Sequence, residues 1–386
     1  MTRTPLPANV KRQGWVSFCT DVSSEMVYPI LPLFVVGVLQ APAFVLGLIE
    51  GVAEAIVSVM KALAGWHSDR LRRRVPFLRT GYSCSALGKV LLAAATSWPL
   101  VFLARASDRF GKGLRGSAGD ALIADSVTAD QKGRAFGFHR TMDTAGALLG
   151  VMVTFLLLQV VALPLRTIFI LAIFPALLAA ALTLTLREPA RAEVPAAQPG
   201  PVRHERLSGQ FWRTLAVILV FMLGSCSDTF LLLRAKDLGH GDGVTVLFYA
   251  LHNLSYLLSA YPGGLLSDRH GRWAVIRIGW ALNGLAYLGF ATLSGDLTWS
   301  LFLLYGAYMG LAEGSSRALI ADLAPSTRRA TALGIFHMGI GLVTLLGSTI
   351  SGWLWDRVGH AAPFYFCGLL TTIGWLAIPF AQRARH

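Results

Sequence analysis

The sequence predicts an all-α integral membrane protein of twelve transmembrane helices in two six-helix bundles. Three observations carry that expectation. Of 386 residues, 54% are hydrophobic and only 14% are charged, whereas soluble domains run at about 25% charged. Apolar runs of about 20 residues, long enough to cross a bilayer, recur twelve times. The two halves also repeat each other in parallel. HSDRLRRR at 67–74 answers LSDRHGRW at 266–273, and ALIAD stands at both 121–125 and 318–322, the kind of internal repeat that builds paired membrane-helix bundles.

Taken in order, the apolar runs begin near Trp15, Phe44, Phe77, Trp98, Phe138, Arg166, Phe211, Val244, Ala274, Trp299, Ala330 and Ala362. The first six form a bundle over 1–186 and the last six a bundle over 211–386. Between them, 187–210 is rich in Pro, Ala and charge and has no apolar period, so it reads as a linker. The opening MTRTPLPANVKRQG has no apolar stretch followed by a small-residue cleavage site. The first helix is therefore expected to serve as an uncleaved targeting signal.

A net charge of +13 would suggest nucleic acid in a soluble protein, but here the basic residues cluster in the breaks between apolar runs. Twenty-two of the 34 Lys and Arg fall on the side of the two termini and the linker; four (Arg166, Arg234, Lys236 and Arg357) fall on the other. The positive-inside rule then puts both termini in the cytoplasm. Nucleic acid is excluded as a partner, and the lipid bilayer replaces it. The four cysteines, Cys19, Cys84, Cys226 and Cys367, are scattered singly and form no CxxC pair, so neither a disulfide framework nor a structural zinc site is expected. RFGKGLRG lacks the Walker spacing. No cofactor and no enzymatic activity are expected.

Eight basic residues lie inside the spans: Lys61, Lys89, Arg105, Arg109, Lys112, Arg115, Arg140 and Arg317. Facing lipid, they would together cost on the order of 20 kcal/mol, so they must be paired, snorkelling or in water. Helix 4 concentrates them. In RASDRFGKGLRGSAGDALIAD, residues 105–125, helical winding puts Arg105, Asp108, Arg109, Lys112, Arg115 and Asp120 within an arc of roughly 140°. Such a face suits a polar cavity inside a membrane protein.

Acidic counterparts stand in helices 1 and 2. Asp21 and Glu25 lie i,i+4, just before Pro29 and Pro32, which weaken the helix ladder in the manner of a bending gate. Glu50 and Glu54 repeat the spacing. Two like charges one turn apart in a low dielectric cannot both ionise cheaply, and a carboxylate that exchanges a proton is what proton coupling requires. The structural alternative is that each pairs with Lys61, Lys89 or an arginine of helix 4. In helix 5, Arg140 and Asp143 lie i,i+3 as a candidate internal pair. Glu313 and Arg317 in helix 10 lie i,i+4 in the favourable order. Asp228 and Asn253 complete the substrate and proton candidates in the second half.

At this point the residues resemble the major facilitator superfamily. Its loop signature G-x-x-x-D-R-x-G-R-R falls on Gly65, Asp69 and Arg70, with Arg72 at the second Gly, and more fully on Gly264, Asp268, Arg269, Gly271 and Arg272. Its helix 4 pattern R-x-x-Q-G-x-G falls on Arg109, Lys112, Gly113 and Arg115, with Lys for Gln and Arg for the last Gly. The antiporter pattern G-P-x-x-G-G in helix 5 is only partly kept, with Gly146 and Gly150 present and Ala147 and Val151 in the other places. The resemblance implies two bundles rocking about a central site, and loop motifs acting as cytoplasmic latches. It implies a monomeric secondary transporter of the bacterial inner membrane. Combined with the charge pattern, the expected activity is proton-coupled efflux of a small organic solute bearing an anionic group. The alternative is export of a divalent transition metal, as in ferroportin-like members, through Asp21, Cys226, His252 and His337.

Overall fold

The computed structural model describes residues 6–71, 73–128, 131–188, 207–293, 295–325 and 328–382. All regular elements among these residues are helical. The helices are α1 (Ala8–Val27), α2 (Ala43–Leu71), α3 (Val75–Ala93), α4 (Trp98–Asp125), α5 (Lys132–Gln159), α6 (Leu165–Leu182) and α7 (Gly209–Leu223). They continue with α8 (Asp228–Asp237), α9 (Asp242–His270), α10 (Arg272–Thr292), α11 (Leu297–Asp322), α12 (Arg329–Arg357), α13 (Ala362–Leu376) and α14 (Ile378–Gln382). Counting α7 with α8 and α13 with α14 as compound rods gives the twelve expected spans.

Eight of these rods are apolar enough to cross a membrane on composition alone: α2, α5, α6, α7 with α8, α9, α10, α12, and α13 with α14. The other four are α1, α3, α4 and α11. They carry Asp21, Glu25, Lys89, the helix 4 charges, Glu313 and Arg317, so their cost in lipid has to be met by neighbours. Helix boundaries follow local chemistry. Pro76, Pro99 and Pro363 open α3, α4 and α13, where a missing N–H costs nothing. Ser208 caps α7 by accepting from the Phe211 N–H at 3.1 Å. In the first span, α1 ends before Pro29. The rod continues as a 3₁₀ turn (Tyr28–Ile30) and a π turn (Leu33–Val38), so the ladder changes pitch at the two prolines.

The chain divides into two compact units, Met1–Leu39 with Val52–Gln198, and Gln40–Gly51 with Pro199–His386. The first turns of α2 thus group with the second unit. Most of the expected linker, 189–206, lies outside the described residues. Within the first unit α3 packs on α4, α1 on α5 and α6, and α3 on α6. The second repeats that scheme with α10 on α11, α7 on α12 and α13, and α10 on α13. Phe221 stacks on Trp280 at 4.1 Å in the core of the second unit, and Phe34 meets Phe169 edge-on at 5.0 Å in the first.

Each unit carries the same polar lock where its second span turns into its third. Arg74 reaches Asp125 at 3.3 Å and Ser68 at 2.9 Å. Arg272 reaches Asp322 at 3.2 Å and Ser267 at 3.2 Å. The first lock is reinforced by Glu188, whose carboxylate accepts from the N–H groups of Arg74 and Val75 at 2.8 and 2.9 Å. A negative charge there complements the start of α3.

Candidate functional site

The contact between α3 and α4 organises the first unit. A Cβ on Gly111 would lie 2.3 Å from the Gly81 carbonyl oxygen and 2.9 Å from the Ser85 nitrogen. Glycine at both positions lets the two backbones approach closely enough for their side chains to interlock. Ser85 Oγ donates to the Asp108 carbonyl at 3.2 Å, and Ser107 Oγ to the Cys84 carbonyl at 2.9 Å.

Sealed in that contact is a carboxylate facing three cations. Asp108 Oδ2 lies 3.6 Å from Lys89 Nζ, 3.7 Å from Arg105 and 4.0 Å from Arg109. All four side chains are buried. The Arg105 guanidinium also sits 5.6 Å from the centre of the Tyr28 ring. Arg115, at the position of the family's last glycine, folds back onto α3. It lies over Tyr82 at 4.7 Å and donates to Ser85 Oγ, while Tyr82 accepts from Gln13 at 3.0 Å.

The charged face read from the sequence therefore divides. Arg105, Asp108 and Arg109 turn into the α3 contact, whereas Lys112 and Asp120 remain exposed. Lys112 feels the charges of Arg109, Glu54, Arg115 and Asp21. Asp21 on α1 lies in the combined field of Asp143, Arg115, Lys112 and Glu25. Asp143 accepts a hydrogen bond from Ser17 and stands 3.5 Å from His139 Nδ1, while Asp120 lies in the field of Lys61, His139 and Asp143. The i,i+3 pairing considered for Arg140 and Asp143 gives way to His139, one turn away, because Arg140 points to the exposed side of α5. Glu50 is buried, on the first turns of α2 that group with the second unit.

In the second unit the compound seventh rod breaks between Leu223 and Asp228. Asp228 at the start of α8 accepts from the Tyr305 hydroxyl at 2.8 Å. Tyr305 lies 5.2 Å from His252 ring to ring, and His252 Nε2 lies 3.2 Å from Met309 Sδ. Asn253 donates to the Tyr249 carbonyl of its own helix at 3.0 Å. Glu313 pairs with Arg317 as its spacing predicts and also accepts from the Tyr256 hydroxyl at 3.0 Å.

The metal alternative finds no geometric support. Cys226 faces Tyr287 at 3.8 Å, His252 faces Met309, and the His337 ring lies 5.2 Å from Phe336. Among the described residues no three His, Cys, Asp or Glu side chains come together in a way that could hold a metal ion.

Of the loop motifs, Asp268 meets Arg272 at 2.5 Å, Arg269 is exposed, and among the described residues no neighbouring element comes within 4 Å of the Cβ position of Gly264. In the first unit Arg70 lies over Trp66 at 5.4 Å, and Gly65 faces Ser117 of α4. The Asp69 side chain lies outside the described residues. Sequence reasoning missed Arg74, Ser68 and Glu188, and did not connect Lys89 to Asp108 or Tyr305 to Asp228. The repeated ALIAD was a usable signal for the locks, since its last residue is the acceptor in both.

A model of the Major Facilitator Superfamily matches residues 14–315 and 214–385. The chain belongs to this family. It is 32% identical over 390 residues to an uncharacterized MFS-type transporter of Methanocaldococcus jannaschii, covering 97% of this chain and 95% of that one. It is 25% identical to the multidrug resistance protein MdtH of Photorhabdus laumondii, covering 93% and 91%. Among solved structures it resembles the nucleoside transporter NupG, with a TM-score of 0.77 at 15% identity over 98% of this chain and 100% of that one. A bacterial homolog of the human lysosomal transporter Spinster gives 0.73 at 14% identity, over 96% and 94%. The protein is a multi-pass membrane transporter of this superfamily, and the family is not enzymatic.

Proposed function

We propose that this transporter exports a small organic solute bearing an anionic group, coupled to proton movement, by alternating access. The observation that carries this reading is the adjacency, within the first unit, of a basic set and a carboxylate set. Lys112 and Arg115 act on Asp21, and Asp143 of a different helix acts on Asp21 as well. An anionic substrate drawn to the basic side chains would displace their influence on Asp21. That carboxylate would then take up a proton, so that the ionised Asp21 and the substrate anion would compete for the same cations. Efflux is supported by the relatives named as multidrug resistance proteins and as a multi-drug resistance efflux pump. The basic asymmetry of the loops supports cytoplasmic termini in a bacterial inner membrane.

The test is transport by the purified protein in liposomes, using fluorescent organic anions and cations with and without an imposed pH gradient. Gradient-driven accumulation of anions over cations is expected. Equal accumulation without the gradient would remove proton coupling, and a preference for cations would remove the anionic substrate.

A further inference from the structure

On the second unit, α10 and α13 leave an apolar groove of about 600 Å³ between them. Gly284 and Gly368 open it, where larger side chains would fill it. Its walls include Trp280, Leu285, Leu288, Phe364, Tyr365 and Leu369. Two threonines also line it, and both are engaged: Thr371 Oγ1 accepts from Asn283 at 3.2 Å, and Thr372 Oγ1 donates to the Gly368 carbonyl at 2.8 Å. Leu285, Leu288, Tyr365 and Leu369 are each more than half exposed. In a membrane-spanning chain, such a face meets acyl chains.

One end of the groove is different. Trp375, the last lining residue on α13, donates its indole N–H to the Arg277 carbonyl at 3.1 Å, and Arg277 donates to Gln382 at 2.8 Å. Arg277 is exposed and lies one turn, about 6 Å, before Ala281 on the same helix. Arg213 of α7 lies over the Phe380 ring of α14 at 5.9 Å. A Trp at the mouth of an apolar groove with an arginine just beyond marks a membrane–water boundary. The groove is thus aliphatic along its length and cationic at one end, complementary to a molecule with an aliphatic tail and an anionic head.

We propose that this groove is a binding site for an anionic phospholipid, with one acyl chain between α10 and α13 and the phosphate against Arg277. Guanidinium groups match phosphate geometry well, and basic positions at the ends of membrane helices select anionic headgroups. The site is separate from the charged network of the first unit and does not depend on the transported substrate.

Native mass spectrometry of the full-length protein, titrated with dioleoyl phosphatidylglycerol or dioleoyl phosphatidylcholine, tests this. The wild type should retain the glycerol lipid in preference. Arg277→Gln should cut that adduct about fivefold, the effect of one arginine beside an anionic surface, and leave the choline adduct unchanged. Gly368→Leu should remove the adduct by filling the groove. Among the described residues a Cβ there meets Tyr287 Cβ at an ordinary 3.8 Å, so the backbone has room for a side chain that extends into the groove. Arg357→Gln, which removes the same charge elsewhere on the unit, should have no effect. Equal retention of both lipids, or an adduct that survives Gly368→Leu, would overturn the site. A dimer lost in Gly368→Leu would do so too, by assigning the groove to a second copy of the chain.

Discussion

Arg74, on the threshold of α3, reaches Asp125 at the end of α4 at 3.3 Å, with its side chain 9% exposed. The matching Arg272 reaches Asp322 at nearly the same distance but is 28% exposed. The two locks share chemistry and differ in burial, so they should differ in strength. Arg74→Ala should cost about 1–3 kcal/mol, since it strands buried polar partners. Arg272→Ala should cost under about 1 kcal/mol, as surface pairs do. Thermal unfolding in detergent should rank Arg74→Ala as the less stable variant, and the reverse order would refute the burial argument.

Asp108 is the acid on which Lys89, Arg105 and Arg109 converge. Asp108→Asn leaves three buried cations without that charge and should destabilise the protein by about 3–5 kcal/mol. Removing one of those cations as well, in Asp108→Asn with Lys89→Met, should recover part of the loss. A double variant no more stable than the single one would show that Lys89 is not held through Asp108.

Gly111→Ala should push α3 and α4 apart, because the new methyl group would overlap the Gly81 carbonyl. Gly137→Ala makes the same chemical change where, among the described residues, no neighbouring element lies within 4 Å, and helix propensity alone should make it neutral or stabilising by up to about 1 kcal/mol. Melting temperatures should therefore move in opposite directions or, at the least, fall only for Gly111→Ala.

For proton coupling, Asp21→Asn or Asp143→Asn should abolish transport driven by a pH gradient while leaving substrate exchange across the membrane. Arg115→Gln should impair both processes, since it removes a cation that acts on Asp21. Full gradient-driven transport in both aspartate variants would move the coupling proton to Glu25, Glu50, Glu54 or Asp228, or eliminate it.

The proposed orientation has a direct check. In a background lacking Cys19, Cys84, Cys226 and Cys367, Gln198→Cys should resist an impermeant thiol reagent in intact cells and react once the membrane is permeabilised. Labelling without permeabilisation would invert the topology.

The twelve rods were legible because apolar run length is a one-dimensional property. Even so, the first run begins near Trp15 while α1 begins at Ala8, since a helix continues beyond the hydrocarbon into polar flanks. The Glu313–Arg317 pair was legible for the same local reason, as both residues sit on one helix. The contacts of Lys89 with Asp108 and of Tyr305 with Asp228 were not, because each joins two helices whose rotation is set by packing. Gly81 and Gly111 fix that rotation for α3 and α4, and a glycine in a sequence does not announce its neighbour. The charges of helix 4 were legible as residues on one arc. Their division between the α3 contact and the exposed side needed the position of α3.

The turn between Ser267 and Arg272 spans five positions, whereas that between Ser68 and Arg74 spans six. Gly271, at φ +89°, makes the shorter path possible by turning the chain through a region other residues rarely occupy. The two halves consequently fall out of step at this corner, and no constant offset relates a residue to its twin on both sides of it. Segments exchanged between the halves would remain interchangeable parts only if cut outside the serine and the arginine. A cut inside that corner would splice two different lengths and leave the arginine out of phase with its aspartate.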